Sequence, residues 1–477
     1  MRKKGSVTVF LTLILSLLLS LICASIESVR MASARTQILN GMDIGLYSLF
    51  GQYDKELLTD YDLFALDGSR GGGQLDLAAV CDELEAYMNP VLKQNSQKLT
   101  LCQSGLTGYR LLTDQNGEAF YQQIVGYMQE TLGSQGIQLL LGRMSERQEK
   151  TAQADQSANQ AQSKGSIDRY DSEMNQASEK SQQAAEEAQV VPQAPPAKNP
   201  ITIMKRIMKR GVLELVLPGG NGLSTKEIEK GTLVSGRGLQ QGMEMPDGMT
   251  VENSYTSEVL FQQYLMEHLG SYAEPSSAGL AYQMEYVFGG KNSDEDNLKA
   301  VASKLLFIRE GVNFACLMAD NVKRSEAQAL ATAIASGFLV PPAAVIIEAA
   351  LILCWAFAES VLDVRELFAG GRIPLVKSSG DWQISLGNLP DLMEGLDSMR
   401  RNDEKGMSYK DYLQVLVLTV SKEKKAMRAM DMIENTIREK GRKNFCMDSC
   451  IVALEAFADV KANKKKDFQV IRQYCYE

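Results

Sequence analysis

The apolar run at the N-terminus constrains this chain more than any other feature. It follows the basic leader Met1-Arg-Lys-Lys-Gly5, and no charged residue lies between Lys4 and Glu27. At about 1.5 Å per residue, residues 6–26 form a helix long enough to cross a hydrocarbon core of roughly 30 Å. The side chains that would anchor it are Val7, Phe10, Leu11, Leu13, Ile14, Leu17, Leu18 and Leu21. The cations of the leader favour a cytoplasmic N-terminus, so we expect a single-pass protein of the cell membrane with its bulk outside.

Three interpretations of this segment remain open. A cleaved secretory signal has a shorter apolar core and a small-x-small cleavage site, for which Ala24-Ser-Ile26 is a poor match. An uncut signal anchor is the simplest alternative. The third interpretation notes that the leader ends in Gly5 and joins the apolar helix without a spacer, an arrangement that resembles a type IV prepilin. This resemblance implies cleavage between Gly5 and Ser6, although the glutamate that prepilins carry five residues after the cut is Phe10 here.

Motifs along most of the chain carry a further resemblance. They are Gly5-Ser-Val-Thr-Val-Phe-Leu11, Glu27-Ser-Val-Arg30, Asp60-Tyr-Asp-Leu-Phe64, Ile308-Arg-Glu-Gly-Val-Asn-Phe314, Trp355-Ala-Phe-Ala-Glu-Ser360 and Asp431-Met-Ile-Glu434. In these stretches the chain resembles the TadE/TadG-like exported proteins of Gram-positive bacteria. Those proteins are encoded with tight-adherence (Flp-type) pilus machinery and include a domain-of-unknown-function family. The resemblance implies pilins or pilus-assembly membrane proteins as partners, and it implies no enzymatic activity.

Composition limits the classes of partner. The 477 residues are 45% apolar, which is enough for two or three folded units. The formal net charge is −9, which argues against nucleic acid as a partner and against peripheral binding to anionic lipid. The 8 cysteines are scattered and form no C-x-x-C pair, so most are expected to be buried small side chains rather than a disulfide scaffold.

A change in composition divides the extracytoplasmic part into two lobes. Residues 27–150 form the first lobe. Its first helix, to about Phe50, is either a stalk that continues outward from the membrane or the first helix of a globular domain, and we expect it to break near Gly41 or Gly45. Residues 151–200 are dominated by Ala, Gln, Ser and Glu and become rich in Pro towards their end. They offer too little apolar surface to offset the entropy of folding, so a solvated linker is predicted there. Residues 201–477 form the second lobe.

The periodicity of apolar residues predicts a helix-rich α+β fold with small antiparallel sheets. Helices are expected at 77–92, 200–215, 254–269, 293–318, 409–420 and 422–440. Strands are expected at 98–102, 109–112, 280–288, 373–376, 382–386, 445–458 and 468–476. If the last two strands pair around the basic turn at 464–466, Cys475 lies near Cys446 or Cys450 and a disulfide can form. We expect the lysines of that turn to form a solvated tip.

The stretch from Ala327 to Ala358 is apolar enough to be a second membrane helix. Pro341-Pro342 at its centre and the charges of Glu348 and Glu359 argue against that, because a charge at mid-bilayer costs several kcal/mol. We therefore expect two buried helices that meet at a Pro-Pro corner.

Candidate chemistry is sparse. His268 is the single histidine, on a predicted helix beside Glu267, and no serine or cysteine stands in a nucleophile motif. The Asp60-Tyr-Asp62 stretch lacks the ligand spacing of a calcium loop, and Gly236-Arg-Gly238 lacks the spacing of a dinucleotide fingerprint. No catalytic residue, metal or cofactor is predicted, although a pair of carboxylates brought together by folding stays open.

We therefore expect an anchored, pseudopilin-like accessory protein of a tight-adherence pilus or secretion system that acts by binding other proteins. The alternative is an anchored extracytoplasmic enzyme that acts on cell-wall or surface polymer. A third hypothesis is a structural spacer whose reach is set by residues 151–200.

Overall fold

The computed structural model describes residues 4–93, 99–164, 172, 176, 200–217, 222–243, 245, 254–337, 343–391, 406–462 and 466–476. These residues form a helix-rich α+β protein with one small antiparallel sheet, which confirms the predicted fold class.

Contacts between residues divide the chain into two units. Unit 1 comprises residues 1–127, 232–252 and 437–477, and unit 2 comprises residues 128–231 and 253–436. This division differs from the sequential lobes that we expected, because the C-terminal strands belong to the same unit as the N-terminal helix. Strand pairing is the reason, since Leu111 lies opposite Ile451 in the sheet.

The helices of unit 1 are α1 (Lys4–Phe50), α2 (Lys55–Tyr61), α3 (Leu77–Lys93) and the beginning of α4 (Asp114–Lys164). Its strands are β1 (Leu66–Asp67), β2 (Leu99–Leu111), β3 (Cys450–Ala462) and β4 (Lys466–Cys475). The two strands expected at 98–102 and 109–112 are thus one strand, with irregularities in its register. The pair of strands expected at the C-terminus is confirmed, whereas residues 463–465 of the basic turn between them lie outside the described residues.

Strand β3 is the centre of the sheet. It pairs antiparallel with β2 on one side, and with β4 and the short β1 on the other. The inner face of β3 carries Leu454, Ala456, Ala458 and Val460, which are fully buried against the helices. Cys475 lies opposite Ala453 in the register of β3 and β4, and the structure joins none of the described cysteines in a disulfide, so the disulfide expected from Cys475 is not formed.

Helix α1 supplies the other half of this core. Ala34, Ile38, Met42, Leu46 and Leu49 recur every three or four residues, which places them on one face. That face packs against α3 and the sheet.

The break expected near Gly41 or Gly45 is wrong, because α1 continues to Phe50. At Gly45 a Cβ atom would lie 2.6 Å from Cγ of Met88. The glycine therefore lets α3 approach α1 closely instead of ending the helix.

Unit 2 is helical in the described residues. Its helices are α5 (Pro200–Met208), α6 (Val212–Val216), α7 (Tyr255–His268), α8 (Gln283–Gly289), α9 (Asp294–Ala319), α10 (Asn321–Gly337), α11 (Ala344–Phe368), α12 (Tyr409–Leu418) and α13 (Lys422–Glu439). Short 3-10 turns occur at Ser379–Asp381 and Leu386–Asp391 in this unit, and a third, Lys230–Thr232, spans the boundary with unit 1. The boundary between the units falls within α4 and α13.

Helix α11 occupies the interior of unit 2. It is long and apolar enough to cross a membrane, but nearly every residue from Ile347 to Phe368 is buried by protein, mainly by α9 and α10. Glu348 near its start is paired with Arg324 of α10 at 3.0 Å. The interpretation as buried helices therefore fits α11, whereas α10 is buried along one face only. Pro341-Pro342 lies outside the described residues.

Two predicted sheet elements of unit 2 are wrong. The strand expected at 280–288 is helix α8, because Leu280 to Val287 are buried on every side and do not alternate between core and solvent. The hairpin expected at 373–386 is also not formed. Ile373 instead pairs with Met407, and residues 386–391 form a 3-10 turn.

The predicted linker begins too early. Helix α4 continues without a break to Lys164, and Thr151, Ala154 and Ala158 on it are buried. The small side chains that suggested a solvated segment allow close packing here. At Gly311 of α9, a Cβ atom would lie 2.1 Å from Cα of Ala158. Apart from residues 172 and 176, residues 165–199 lie outside the described part of the chain.

Candidate functional site

The first half of α1 carries the longest run of exposed apolar side chains in the described chain. The predicted anchor residues Val7, Phe10, Leu11, Leu13, Ile14, Leu17, Leu18 and Leu21 are 41–67% exposed. Gly5 and Ser6 lie in the first turns of the same helix. Apolar surface on this scale must be covered by lipid or by another protein, because exposing it to water costs about 25 cal/mol per Å².

The second half of α1 joins the anchor directly to the core of unit 1. Ala34 is the first fully buried residue of α1, and it lies only eight residues, or about 12 Å, beyond Ile26. One continuous helix therefore passes from the apolar segment into the folded unit. The expected stalk is short, since the helix is packed from Ala34 onwards.

Buried charged groups form a cluster between α9 and α11 of unit 2. The Arg309 guanidinium donates two hydrogen bonds to Asp363 Oδ2, at 2.8 and 3.0 Å. Lys377 lies 2.5 Å from the other oxygen of Asp363 and 2.6 Å from Glu359 Oε1. Asn313 donates to Asp363 Oδ2 and to Ser360 Oγ. All of these side chains are buried.

The two cations determine the ionisation of Asp363. Burial by itself raises the pKa of a carboxyl group, but here Lys377 and Arg309 together hold the pKa of Asp363 below its ordinary value. Arg309 also donates to the carbonyl oxygens of Pro374 and Leu375, which fixes the chain that carries Lys377. The cluster therefore holds α9, α11 and the 373–384 segment together.

The sequence offered a partial signal for this cluster. Arg309 and Asn313 lie in one of the motifs quoted above, and Glu359 and Ser360 lie in another. Charged residues inside otherwise apolar helices indicate buried pairing. Asp363 and Lys377 were missed, because their partners are 54 and 18 residues distant in the chain.

A second buried carboxyl group, Glu285, lies on α8. Its Oε1 accepts hydrogen bonds from the Tyr409 hydroxyl at 2.6 Å and from the Tyr272 backbone at 2.8 Å. Its Oε2 is buried and has no hydrogen-bond partner among the described residues. Burial raises the pKa of Glu285 to about 7, although the bonds from Tyr409 and Tyr272 act in the opposite direction. Tyr272, Tyr409 and Phe368 pack around it ring against ring.

The acidic stretch of unit 1 is neutralised by an arginine. Arg442 contacts the carboxylates of Asp54 at 2.5 Å, Glu56 at 3.3 Å and Asp67 at 3.1 Å. Asp54 in addition caps the N-terminus of α2. Lys440 pairs in the same way with Asp60, so these carboxylates bind protein cations. In the described part of the chain, no group of three or more His, Cys, Asp or Glu side chains could hold a metal ion.

The remaining sequence candidates have structural contacts. His268 stacks on Tyr264, with 4.0 Å between the ring centroids, and its Nδ1 lies 3.0 Å from the Tyr264 carbonyl oxygen. In the glycine-rich loop, Arg237 pairs with Asp448 at 2.5 Å. The backbone N–H of Gly242 donates to Asp114. The loop thus donates to carboxylates of the protein itself.

Comparison with known proteins places the chain in one family. A family model described as a family of unknown function (DUF5702) matches residues 192–462. These residues include both buried clusters of unit 2 and strand β3, whereas α1 precedes them. No curated protein and no solved structure matches the chain. Because the family model covers more than half of the 477 residues, the chain belongs to the DUF5702 family of unknown function.

Proposed function

We propose that the protein is a membrane-anchored, extracytoplasmic accessory protein of a tight-adherence pilus or secretion system, and that it acts by binding pilins or assembly proteins. The observation that carries the proposal is the division of α1 into an exposed apolar half and a half packed into unit 1. A helix of this kind holds a folded unit against the membrane. Its exposed half is then available to the helices of other membrane proteins.

The motif resemblance supports the pilus assignment at both ends of the chain. The leader and the apolar helix resemble a prepilin, and they form the continuous helix α1. Several residues of the later motifs, such as Arg309 and Glu359, belong to the buried cluster of unit 2. Their role in this proposal is to maintain the fold, so partner binding is assigned to the surface and to the anchor.

The mature N-terminus tests the proposal most directly. In mass spectrometry of the protein purified from its native membrane, a chain that begins at Ser6 would support pilin-like processing. An intact leader would reduce the proposal to an anchored binding partner. A chain that begins after Ala24 or later would contradict both forms, because the anchor would be lost.

Orientation and partners need their own measurement. Protease added to intact cells should degrade the part of the chain after α1 and leave the first half of α1 protected by the bilayer. Photo-crosslinkers at exposed anchor positions such as Phe10 and Leu17 should capture pilins or assembly proteins. Crosslinkers at Ile38 and Leu49, which face the core of unit 1, serve as matched controls.

The enzyme and spacer alternatives have separate tests. The enzyme alternative needs a deep cleft with two or more convergent carboxylates, and an activity that is lost when they are replaced. Asp363 and Glu285 are hydrogen-bonded to side chains of the protein itself. A spacer should lose function when residues 165–199 are deleted. The deletion must spare 151–164, since that part of α4 is packed in unit 2.

A further inference from the structure

The distance of each part of unit 1 from the proposed membrane surface can be counted along α1, because this helix leads from the apolar run into unit 1. At the end of this helix, the Tyr476 hydroxyl donates to the Phe50 carbonyl oxygen at 2.6 Å. Seven residues earlier on the helix, Asp43 pairs with Arg472 of β4 at 3.0 Å. Strand β4 and helix α1 therefore run side by side in the same direction, so the start of β4 points towards the membrane.

The same contacts place the end of the β3–β4 hairpin beside the anchor. Lys466 lies six strand residues before Arg472, or about 20 Å. Arg30 lies thirteen helical residues before Asp43, which is also about 20 Å. Lys466 is thus level with Arg30, about 6 Å beyond Ile26, the last residue of the apolar run. Consistent with this level, Ala462 at the end of β3 belongs to the same buried cluster as Ala34.

This end of unit 1 is locally basic. Arg30, Arg35, Lys461 and Lys466 are exposed there, and we call these four side chains the basic end. The acidic groups near them are Glu27 on α1, Asp459 on β3, and Asp467, which lies 3.8 Å from Lys461 and is 72% exposed. Four cations against three carboxylates leave a net charge of +1 at this end of a chain whose net charge is −9.

We propose that the basic end binds the headgroups of anionic phospholipid at the surface of the membrane that α1 spans. The inference rests on the proposed anchoring by α1. Electrostatic attraction reaches only about 10 Å at 0.1 M salt, so a surface held this close to the headgroups responds to its local charge. The negative charge of the whole chain argued against lipid binding by a protein that diffuses freely. An anchored protein presents only its membrane-facing end to the headgroups, and that end carries more cations than carboxylates.

Hydrogen exchange on the full-length protein in vesicles tests this proposal. The protein is reconstituted in phosphatidylcholine alone, and in phosphatidylcholine with about 30 mol% phosphatidylglycerol. The readout is the ratio of exchange rates between the two vesicles for peptides that cover 455–462 and 466–476. We expect about tenfold slower exchange in the anionic vesicles, and we expect the difference to disappear on raising salt from about 0.05 to 0.5 M.

Charge reversal provides the matched comparison. K461E/K466E should abolish the difference in exchange rate between the two kinds of vesicle, and the neutral K461Q/K466Q should reduce this difference. K55E/K443E reverses two exposed lysines of the same unit beyond the far end of α1, and it should leave the difference unchanged. Because each variant is compared with itself in two lipids, any local loosening of the hairpin cancels.

The outcomes separate this inference from the proposed function. Protein that alkaline carbonate extracts from the vesicles would contradict the anchor and the basic end together. Protein that stays integrated but exchanges equally in both lipids would overturn the lipid contact alone. The lipid contact would also be overturned if K55E/K443E has the effect expected of K461E/K466E.

Discussion

Arg309, Asp363, Lys377 and Glu359 place two positive and two negative charges in the interior of unit 2. Each charge loses its hydration there, and the cost is offset only while the partners remain in place. The cluster is therefore more sensitive to the loss of one member than an exposed ion pair would be. It also joins three segments that are distant in the chain.

Replacing Asp363 by Asn should lower the free energy of unfolding of unit 2 by about 3–5 kcal/mol, because Arg309 and Lys377 then lose half of their counter-charge. Urea unfolding followed by tryptophan fluorescence measures this, since both tryptophans of the chain, Trp355 and Trp382, lie in unit 2. E146Q, which removes an exposed pair with Lys150, should leave the midpoint unchanged. Equal midpoints for D363N and the parent would show that the cluster contributes nothing.

The low pKa of Asp363 also predicts how the stability of the protein changes with pH. A carboxyl group whose pKa is depressed by folding stabilises the protein above its ordinary pKa, and this contribution is lost as the pH falls. The difference in stability between parent and D363N should therefore shrink in acid. A constant difference from pH 7 to acid would contradict the pairing.

Glu285 predicts the opposite change of stability with pH. Its pKa rises from 4.5 to about 7 on folding, so the fold favours the neutral acid. The contribution is complete below the ordinary pKa and is lost as the pH rises through 7, by up to about 3 kcal/mol. E285Q should therefore gain stability relative to the parent between pH 5 and 8, as measured by urea unfolding. Parallel stability curves for the two proteins would mean that Glu285 is ionised at all these pH values.

At the scale of the element, close approach of helices decides where α4 ends. After Thr151 the sequence has few large apolar residues, and α4 packs through small side chains instead. Ala158, for example, fits against Gly311 of α9. Composition alone cannot distinguish such a packed Ala-rich helix from a solvated one, because the distinction depends on the partner surface. Gly45 of α1 has the same role opposite Met88.

Gly311→Ala should destabilise unit 2 by about 1–3 kcal/mol, because the new Cβ meets the backbone of Ala158, which cannot move aside like a side chain. Gly142→Ala on α4 is the matched control, since no atom lies within 4 Å of its added Cβ. It should stabilise the helix by about 0.5–1 kcal/mol. Thermal unfolding of both variants gives the comparison, and stabilisation by G311A would contradict the contact between α4 and α9.

For the molecule as a whole, α1 has two separable roles. Its exposed half contributes no buried surface to unit 1, whereas its second half supplies one wall of the core. The proposed anchoring and the folding of unit 1 therefore depend on different residues of one helix. The basic end lies where the two halves meet.

Truncation should separate these roles. A chain that begins at Glu27 should be soluble without detergent and retain the fold of unit 1. A chain that begins at Asn40 loses Ala34 and Ile38, and its unit 1 should be destabilised by about 3 kcal/mol or more. Circular dichroism and hydrogen exchange in β3 report the difference. Aggregation of the first chain, or an unchanged second chain, would contradict the assignment.

Features that depend on contiguous residues were predictable from the sequence. They include the N-terminal apolar helix, the helices at 77–92, 293–318 and 422–440, and the C-terminal strand pair. In each case the periodicity and the length of the apolar pattern are contained within one segment. The 280–288 segment was mistaken for a strand because short apolar runs suit a strand or a helix equally, and the surroundings decide. The pairing of Lys377 with Asp363 and Glu359 gave no local signal.

The fold class and the N-terminal apolar helix were readable from the amino-acid sequence, because both follow from the length and periodicity of local apolar patterns. Three arrangements became visible only in the folded protein. The two ends of the chain share one sheet, the Ala-rich helix is packed, and the cations of α1 and the β3–β4 hairpin lie at one level. Those arrangements depend on contacts between residues hundreds of positions apart, such as Leu111 and Ile451. The free energy of such contacts is gained only when the whole core assembles.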